Sequence, residues 1–142
     1  DEEIAAGGHT EAQGRILGAL IYKVSDAHRK EAIDAITGVR TDTRKKNEVV
    51  PRLANLEERI QNIIPGYKLN IMSGYRDFAY NKGVGGAKGS KHMEGIAADI
   101  LIPKGMSQQV FIELAKQAGF TGIGTYGTFT HVDLGPERHW NG

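Results

Sequence analysis

The sequence predicts an α+β fold, with a small antiparallel sheet and N-terminal helices packed alongside it. In residues 11–64, apolar side chains recur at the three- and four-residue spacing of amphipathic helices. From residue 68 onward, short segments alternate or run apolar as strands do. The order of elements, which is helices, a strand, a loop, a strand, a helix and a hairpin, favours an α+β arrangement. The 142 residues, of which 39% are hydrophobic, suffice for one domain with a modest core.

Three helices are predicted before the first strand. The first covers about 11–24, and the second covers 26–37, with Ser25 as its N-cap and Gly38 as its stop. The third covers 49–64 and has the clearest apolar stripe, which indicates packing into a core. The stripe consists of Val50, Leu53, Leu56, Ile60 and Ile63.

The second half of the chain has the pattern of a small sheet. Residues 68–72 alternate as a strand does, and residues 97–102 form an apolar run typical of a buried strand. The segments 121–126 and 128–134 indicate a β-hairpin that turns near Gly127.

Two connecting segments separate these strands. Glycine is dense in 83–89, which predicts a loop. Residues 107–118 predict a helix that is capped by Ser107 and closed by Gly119.

Composition limits the classes of function. The formal charge of +1 gives no strong field toward nucleic acid, and the basic run 44–46 lacks interleaved aromatic residues and indicates solvated surface. No apolar run approaches the roughly 20 residues of a membrane span, which predicts no membrane insertion. Because cysteine is absent, any metal must be held by histidine and carboxylate.

His92 and Asp99 lie at a predicted transition from loop to strand. Asp99 falls inside the apolar run 96–102, where an unpaired ionised carboxylate costs on the order of several kcal/mol. It therefore needs a cation, strong hydrogen bonds or a raised pKa. From this spacing alone, a metal ligand and a strand-end Asp bonded to backbone N–H groups are both open.

His131 is the third candidate ligand. It shares a strand face with Asp133, because side chains alternate along a strand, and a lone histidine in such a place is more often a satisfied structural residue. Together with His92 and Asp99, however, it completes a two-histidine, one-carboxylate set. Such a set suits catalytic zinc and leaves the fourth position for water.

Three motifs and a late tryptophan occur in the order and with the spacing of a known family: Ser73-Gly74-Tyr75-Arg76, Ser90-x-His92-x-x-Gly95-x-Ala97-x-Asp99, His131-Val132-Asp133-x-Gly135 and Trp140. They closely resemble the zinc D-alanyl-D-alanine carboxypeptidase family. That family includes VanX-type dipeptidases and the endolysin-like peptidoglycan endopeptidases of bacteria and phages, and is related more widely to the lysostaphin and hedgehog folds. The resemblance covers roughly residues 50–140. We therefore predict an N-terminal helical extension over 1–48 and a zinc peptidase domain over 49–142.

The resemblance implies that His92, Asp99 and His131 bind zinc and that Arg76 faces the substrate. A guanidinium there suits a substrate carboxylate, which it holds with two parallel hydrogen bonds, or the scissile carbonyl. A surface ion pair between Arg76 and Asp77 is the alternative.

The catalytic base is less clear in the sequence. Related enzymes often carry Glu, Asp or His a few residues before the last histidine ligand, and residues 124–130 contain none. We therefore predict Asp133 as the base, and its alternative role is to orient His131. Glu94 and His139 are further candidates, or ordinary surface residues.

The function implied by the resemblance is zinc-dependent hydrolysis of peptide bonds in peptidoglycan stem peptides, by a D-Ala carboxypeptidase or a cross-link or stem endopeptidase. Such a substrate predicts a protein that works outside the cytoplasmic membrane, in the periplasm, secreted or with a phage. We also expect a monomer. The missing upstream carboxylate keeps a second class open, namely a non-catalytic cell-wall or protein-binding module that retains the metal site. A metal enzyme acting on a non-peptide substrate is a third.

Overall fold

The computed structural model describes residues 10–38, 47–75, 91–92 and 94–142. Within these residues the helices are α1 (Glu11–Leu20), α2 (Arg29–Thr37), α3 (Val49–Gln61) and α4 (Gln108–Gln117). The strands are β1 (Ile71–Ser73), β2 (Ala97–Leu101), β3 (Gly122–Thr125), β4 (Phe129–Asp133) and β5 (Arg138–Asn141). The predicted α+β class is confirmed. None of the described helices combines the length and apolar character of a membrane span.

The strands form one sheet in the order β1-β2-β4-β3-β5. Its β1–β2, β2–β4 and β3–β4 pairs are antiparallel, as predicted, whereas β5 pairs with β3 in parallel. The parallel pair arises because the chain reverses after β4 and then lies on the far side of β3. Because of this unpredicted strand, β5, the sheet is mixed, whereas a wholly antiparallel sheet was expected.

Helix ends differ modestly from the prediction. The first helix ends at Leu20, and the second begins with a short 3₁₀ turn, Asp26–His28. Ser25 makes no capping bond to the backbone, and its hydroxyl lies 3.0 Å from His28 Nδ1. Gly38 stops α2 in the left-handed region with a φ of 78°, as predicted.

One hydrophobic cluster joins the N-terminal helices to the sheet. Ile16 of α1 and Ile36 of α2 belong to it together with Leu53 of α3 and Ile100 of β2. Each of these four side chains is at most 1% exposed. The domain boundary at residue 48 stays a prediction. Residues on both sides of it contribute to this hydrophobic core.

The end of α1 fixes the backbone just after β1. Tyr75 N–H donates to the Leu20 carbonyl over 3.0 Å. A Cβ atom on Gly74 would lie 2.5 Å from that carbonyl oxygen, which is closer than such contacts occur. Only glycine therefore allows this approach, and it leaves the Gly74 carbonyl facing the site described next.

Candidate metal centre

The candidate ligands lie on the sheet face turned away from the helices. Ala98 and Ile100 alternate with Asp99 along β2 and belong to the hydrophobic core, as does Val132 next to His131. Asp99 is directly opposite His131 in the β2–β4 pair. Strand pairing therefore brings together two residues that are 32 positions apart in the sequence.

His92 reaches the same place from the turn before β2. Gly95 N–H donates to the His92 carbonyl over 3.2 Å, and Gly95 has a φ of 75°, which favours glycine. The Asn47 side-chain amide donates to the carbonyls of Ala35 and Gly95, and so ties this turn to α2. The predicted turning glycine thus directs His92 toward the strand.

Three ligand atoms converge on one point. Asp99 Oδ1 lies 3.1 Å from His92 Nε2 and 3.0 Å from His131 Nδ1. One possible ligand atom from each of the three residues lies within 4.8 Å of the other two, and the three residues are at most 8% exposed. The structure therefore brings the three predicted ligands together.

Hydrogen bonds on the far side of each imidazole indicate which nitrogen is available to a metal. His92 Nδ1 lies 2.7 Å from the Gly74 carbonyl, which can only accept, so Nδ1 carries a proton and, in the neutral ring, Nε2 carries the lone pair. His131 Nε2 lies 2.7 Å from Asp133 Oδ2. A proton on that nitrogen leaves the lone pair of Nδ1 directed at Asp99.

This donor set fits a divalent cation. Two nitrogen lone pairs that face one carboxylate oxygen repel it unless a proton or a metal lies between them. Burial alone would raise the pKa of Asp99, but its hydrogen bonds with His131 and His92 hold that pKa well below the usual range. Burial would likewise lower the pKa of His131, and its bonds to Asp133 and Asp99 raise it instead. The site therefore stabilises a positive charge between the two rings and Asp99. Two imidazoles with one carboxylate are a donor set that suits zinc.

Asp133 is fully buried and accepts four hydrogen bonds. Its Oδ1 accepts from Gly135 N–H at 2.9 Å and from Arg138 Nη1 at 3.0 Å. Its Oδ2 accepts from Arg138 Nη2 at 2.8 Å and lies 2.7 Å from His131 Nε2. Burial would raise the pKa of Asp133, but the hydrogen bonds from His131, Arg138 and Gly135 lower it well below the usual range.

The position of Asp133 bears on its two predicted roles. It contacts the imidazole nitrogen of His131 that points away from Asp99. A base must come within hydrogen-bond reach of the proton that it removes. The geometry therefore favours the role that orients His131, and the role of base stays a prediction.

Residues 24–133 match the sequence model of the family described as Peptidase M15. This chain belongs to the peptidase M15 family. The resemblance found in the sequence is thereby confirmed, and the match begins well before residue 50.

Two curated proteins illustrate the relationship within this family. The zinc D-Ala-D-Ala carboxypeptidase of Streptomyces albus G is 37% identical over 81 residues, which are 51% of this chain and 30% of that protein. The peptidoglycan L,D-endopeptidase MepK of Escherichia coli K12 is 32% identical over 104 residues, which are 68% of this chain and 57% of that protein. The chain thus spans about a third to somewhat over half of the length of these relatives.

The remaining predicted site residues are exposed or fall outside the described residues. Glu94 is exposed, and its carboxylate accepts from Lys91 Nζ at 3.0 Å. His139 is exposed on β5. Arg76 and Ser90 fall outside the described residues, as do Asp77, the basic run 44–46 and the glycine-rich segment 83–89.

Two contributors to this M15 site were not predicted from the sequence. One is the backbone carbonyl of Gly74, which no side-chain pattern reveals. The other is Arg138, which forms an ion pair with Asp133. In the structure, the half-buried Arg138 and Trp140 alternate along β5 with exposed residues, as side chains do on a strand with one buried face.

Proposed function

We propose that this chain is a zinc-dependent peptidase that hydrolyses peptide bonds in peptidoglycan stem peptides. The observation that carries the proposal is the convergence of His92 Nε2 and His131 Nδ1 on Asp99 Oδ1, at 3.1 and 3.0 Å, in a chain of the peptidase M15 family. The relatives named above support the choice of metal and substrate, since one is named a zinc D-Ala-D-Ala carboxypeptidase and the other a peptidoglycan endopeptidase.

His92, Asp99 and His131 are the proposed zinc ligands. Zinc in such a site supplies a Lewis acid that polarises a carbonyl group and lowers the pKa of water. The protein's part is to hold the three donors at fixed positions. Gly74 holds His92 through its carbonyl, and Asp133 holds His131 through its carboxylate. Such partners behind a ligand set its tautomer and direction.

Arg76 is the proposed substrate-binding residue. It follows Tyr75, whose N–H is bonded to the end of α1, by one position. Its planar fork suits a carboxylate of a stem peptide or the scissile carbonyl. Arg76→Lys keeps the charge but not the fork, so turnover of stem peptides should fall while zinc content is unchanged. Wild-type turnover in this variant would assign Arg76 to the surface instead.

The bond that is cleaved is a further part of the proposal. Release of terminal D-Ala, cleavage of D-Ala cross-links and cleavage of L-Ala–D-Glu bonds all fit a peptidase of this family. Each of these substrates lies in the cell wall, so the proposed place of action is outside the cytoplasmic membrane. We also propose that the protein acts as a monomer.

One observation favours a second candidate function, a non-catalytic cell-wall or protein-binding module that retains the metal site. Asp133, the predicted base, already accepts four hydrogen bonds and has no exposed surface. Among the described candidates, Glu94 is paired with Lys91. A site that binds zinc without a free base would serve binding better than hydrolysis.

Hydrolysis of purified muropeptides separates the two functions. Zinc-loaded protein, chelator-treated protein and the His92→Ala variant are incubated with muropeptides, and the products are identified by mass spectrometry. His28→Ala changes an exposed histidine on the 3₁₀ turn and is the matched control. New products with zinc-loaded protein and His28→Ala alone support the peptidase, and their masses identify the bond. Zinc binding without any product supports the module.

A further inference from the structure

β3 lies between β4 and β5 in the sheet, and its register forms two rows of residues across the three strands. Gly122 is opposite both Asp133 of β4 and Arg138 of β5. Gly124 is opposite both His131 of β4 and Trp140 of β5. Residues directly opposite one another share a sheet face. In each row, therefore, a glycine separates a residue of the metal site from a residue of the edge strand.

The missing side chains let β4 and β5 meet across β3. Two strand spacings separate β4 from β5, about 9–10 Å. Arg138 spans this gap and reaches Asp133 at 2.8 and 3.0 Å. A Cβ atom at Gly122 would overlap Asp133 Oδ1 and Arg138 Nη1. Gly122 is not in the left-handed region, so the requirement for glycine is one of space alone.

In the second row, the absence of a side chain at Gly124 leaves room for Trp140 beside His131. A Cβ atom at Gly124 would lie 2.5 Å from Cε2 of Trp140. The centroid of the Trp140 ring lies 5.2 Å from that of His131, and the Arg138 guanidinium lies 5.0 Å from the Trp140 ring. The edge strand thus contacts both the histidine and the carboxylate behind it.

The fork of Arg138 fixes the plane of the Asp133 carboxylate. It donates one hydrogen bond to each oxygen, and Gly135 N–H donates a third bond. Rotation of the carboxylate would break these bonds inside a buried site. Oδ2 is therefore held toward His131 Nε2.

We propose that Arg138 and Gly122 are positioning residues of the metal site. Gly122 leaves the space through which the Arg138 side chain reaches Asp133. Because Arg138 fixes its carboxylate, Asp133 keeps the proton of His131 on Nε2, and Nδ1 faces the metal. This inference rests on the proposed function in one respect, that His131 is a metal ligand. It assigns a role in metal affinity to the edge strand β5, which follows the last predicted ligand, His131, in the sequence.

A simpler role for Arg138 is to neutralise a buried charge for the sake of stability. Lysine would serve that role, because it brings the charge, but it lacks the planar fork. Arg138→Lys therefore separates the two roles. Positioning predicts weakened zinc binding in this variant, whereas neutralisation alone predicts wild-type zinc binding.

The test measures zinc affinity by competition with a chelator in the full chain. Arg138→Gln and Gly122→Ala should each weaken zinc binding by roughly 10–100-fold, as loss of the partner behind a histidine ligand does. The zinc affinity of Arg138→Lys should lie between that of the wild type and that of Arg138→Gln. Arg59→Gln and Gly127→Ala are the matched controls. Arg59 lies on α3 and bonds to Asn55 and Gln117, and a Cβ atom at Gly127 would meet open space. Both controls should bind zinc as the wild type does.

A second readout follows the imidazole itself. In the zinc-loaded protein, the Nε2–H proton of His131 should give a slowly exchanging NMR signal, because it is bonded to a buried carboxylate. Arg138→Gln should lose that protection. If Gly122→Ala does not fold, Arg138→Gln and Arg138→Lys decide the matter by these two measurements.

The outcomes distinguish this inference from the proposed function. Zinc-binding wild-type protein, together with variants of unchanged affinity and unchanged Nε2–H signal, overturns the positioning role and leaves the proposed function intact. Wild-type protein that binds no zinc overturns the proposed function and this inference with it.

Discussion

His92 presents its Nε2 atom and His131 its Nδ1 atom to the same oxygen of Asp99, and the two rings are held in different ways. His92 is held by a backbone carbonyl, that of Gly74, whose position depends on the contact between Gly74 and Leu20 at the end of α1. His131 is held by a carboxylate, that of Asp133, whose position depends on side chains from the edge of the sheet. One half of the site therefore depends on helix packing, and the other half on a hydrogen-bond network.

This difference separates two kinds of sensitivity. Substitutions that move the backbone near the end of α1 should displace the Gly74 carbonyl that holds His92, and should also lower the stability of the fold. Changes to the chemistry of Asp133 or Arg138 should affect His131 while leaving the fold largely in place, because those side chains lie on the face away from the hydrophobic cluster. The predictions below test this contrast.

The largest effect is expected where a ligand itself is removed. His92→Ala and His131→Ala should each abolish tight zinc binding and hydrolysis together, since two remaining donors hold zinc weakly. Zinc content is measured by metal analysis after dialysis, and hydrolysis is measured on muropeptides. Activity that survives complete loss of the metal would place the chemistry elsewhere in the chain.

Asp133→Asn tests the His131 half of the site. If Asp133 orients His131, zinc affinity should fall by roughly 10–100-fold, and excess zinc should restore the rate. If Asp133 is the base, kcat should fall by roughly 10²–10⁴-fold while zinc stays bound. Measuring kcat against zinc concentration separates the two outcomes, and the hydrogen bonds of Asp133 lead us to expect restoration by zinc.

Gly74→Ala tests the His92 half. The added Cβ atom would meet the Leu20 backbone at 2.5–2.6 Å, so the free energy of unfolding should fall by about 1–3 kcal/mol, as overpacking does. Urea denaturation of the metal-free protein measures this change. Gly18→Ala is the control, because its Cβ atom would meet open space on an exposed face of α1 and should stabilise the helix by up to about 1 kcal/mol. Unchanged stability in Gly74→Ala would remove the packing argument.

The smallest effect is expected in the pH dependence of metal-free stability. The pKa values of Asp99 and Asp133 are lowered from 3.8, so the stability they contribute is present above that value and is lost as the pH falls below it. The pKa of His131 is raised from 6.5, so its contribution is present below pH 6.5 and is lost as the pH rises through the folded-state pKa.

Zinc should remove the alkaline part of this loss, because the metal then occupies Nδ1 in place of a proton. Thermal unfolding midpoints, recorded from about pH 3 to about pH 9 with and without zinc, provide the test. An equal alkaline loss in both series would show that His131 does not exchange a proton for the metal.

The proposed ligands could be named from the sequence because they stand in motifs that resemble a zinc peptidase family, whereas their local signals alone left structural roles open. A histidine, a turning glycine and an acid within an apolar run occur together in residues 92–99, and His131 lies in a segment with clear alternation. The helices before the sheet followed from apolar spacing, although α1 ends four residues early.

The rest of the site depends on contacts that sequence spacing does not encode. The Gly74 carbonyl is a backbone group placed by packing against Leu20. The ion pair between Arg138 and Asp133 depends on β5, a strand of four residues that pairs in parallel after a chain reversal. The glycines of β3 acquire a meaning only once the register puts Gly122 between those two side chains.

The most direct test of the central claim is a crystal structure of the zinc-loaded protein. We predict one zinc ion at about 2.0–2.1 Å from His92 Nε2 and from His131 Nδ1, and about 2.0–2.2 Å from an oxygen of Asp99. Asp133 should remain bonded to His131 Nε2, behind the ligand. Zinc bound through His131 Nε2, zinc coordinated by Asp133, or ligand side chains too far apart to share one ion would contradict the account.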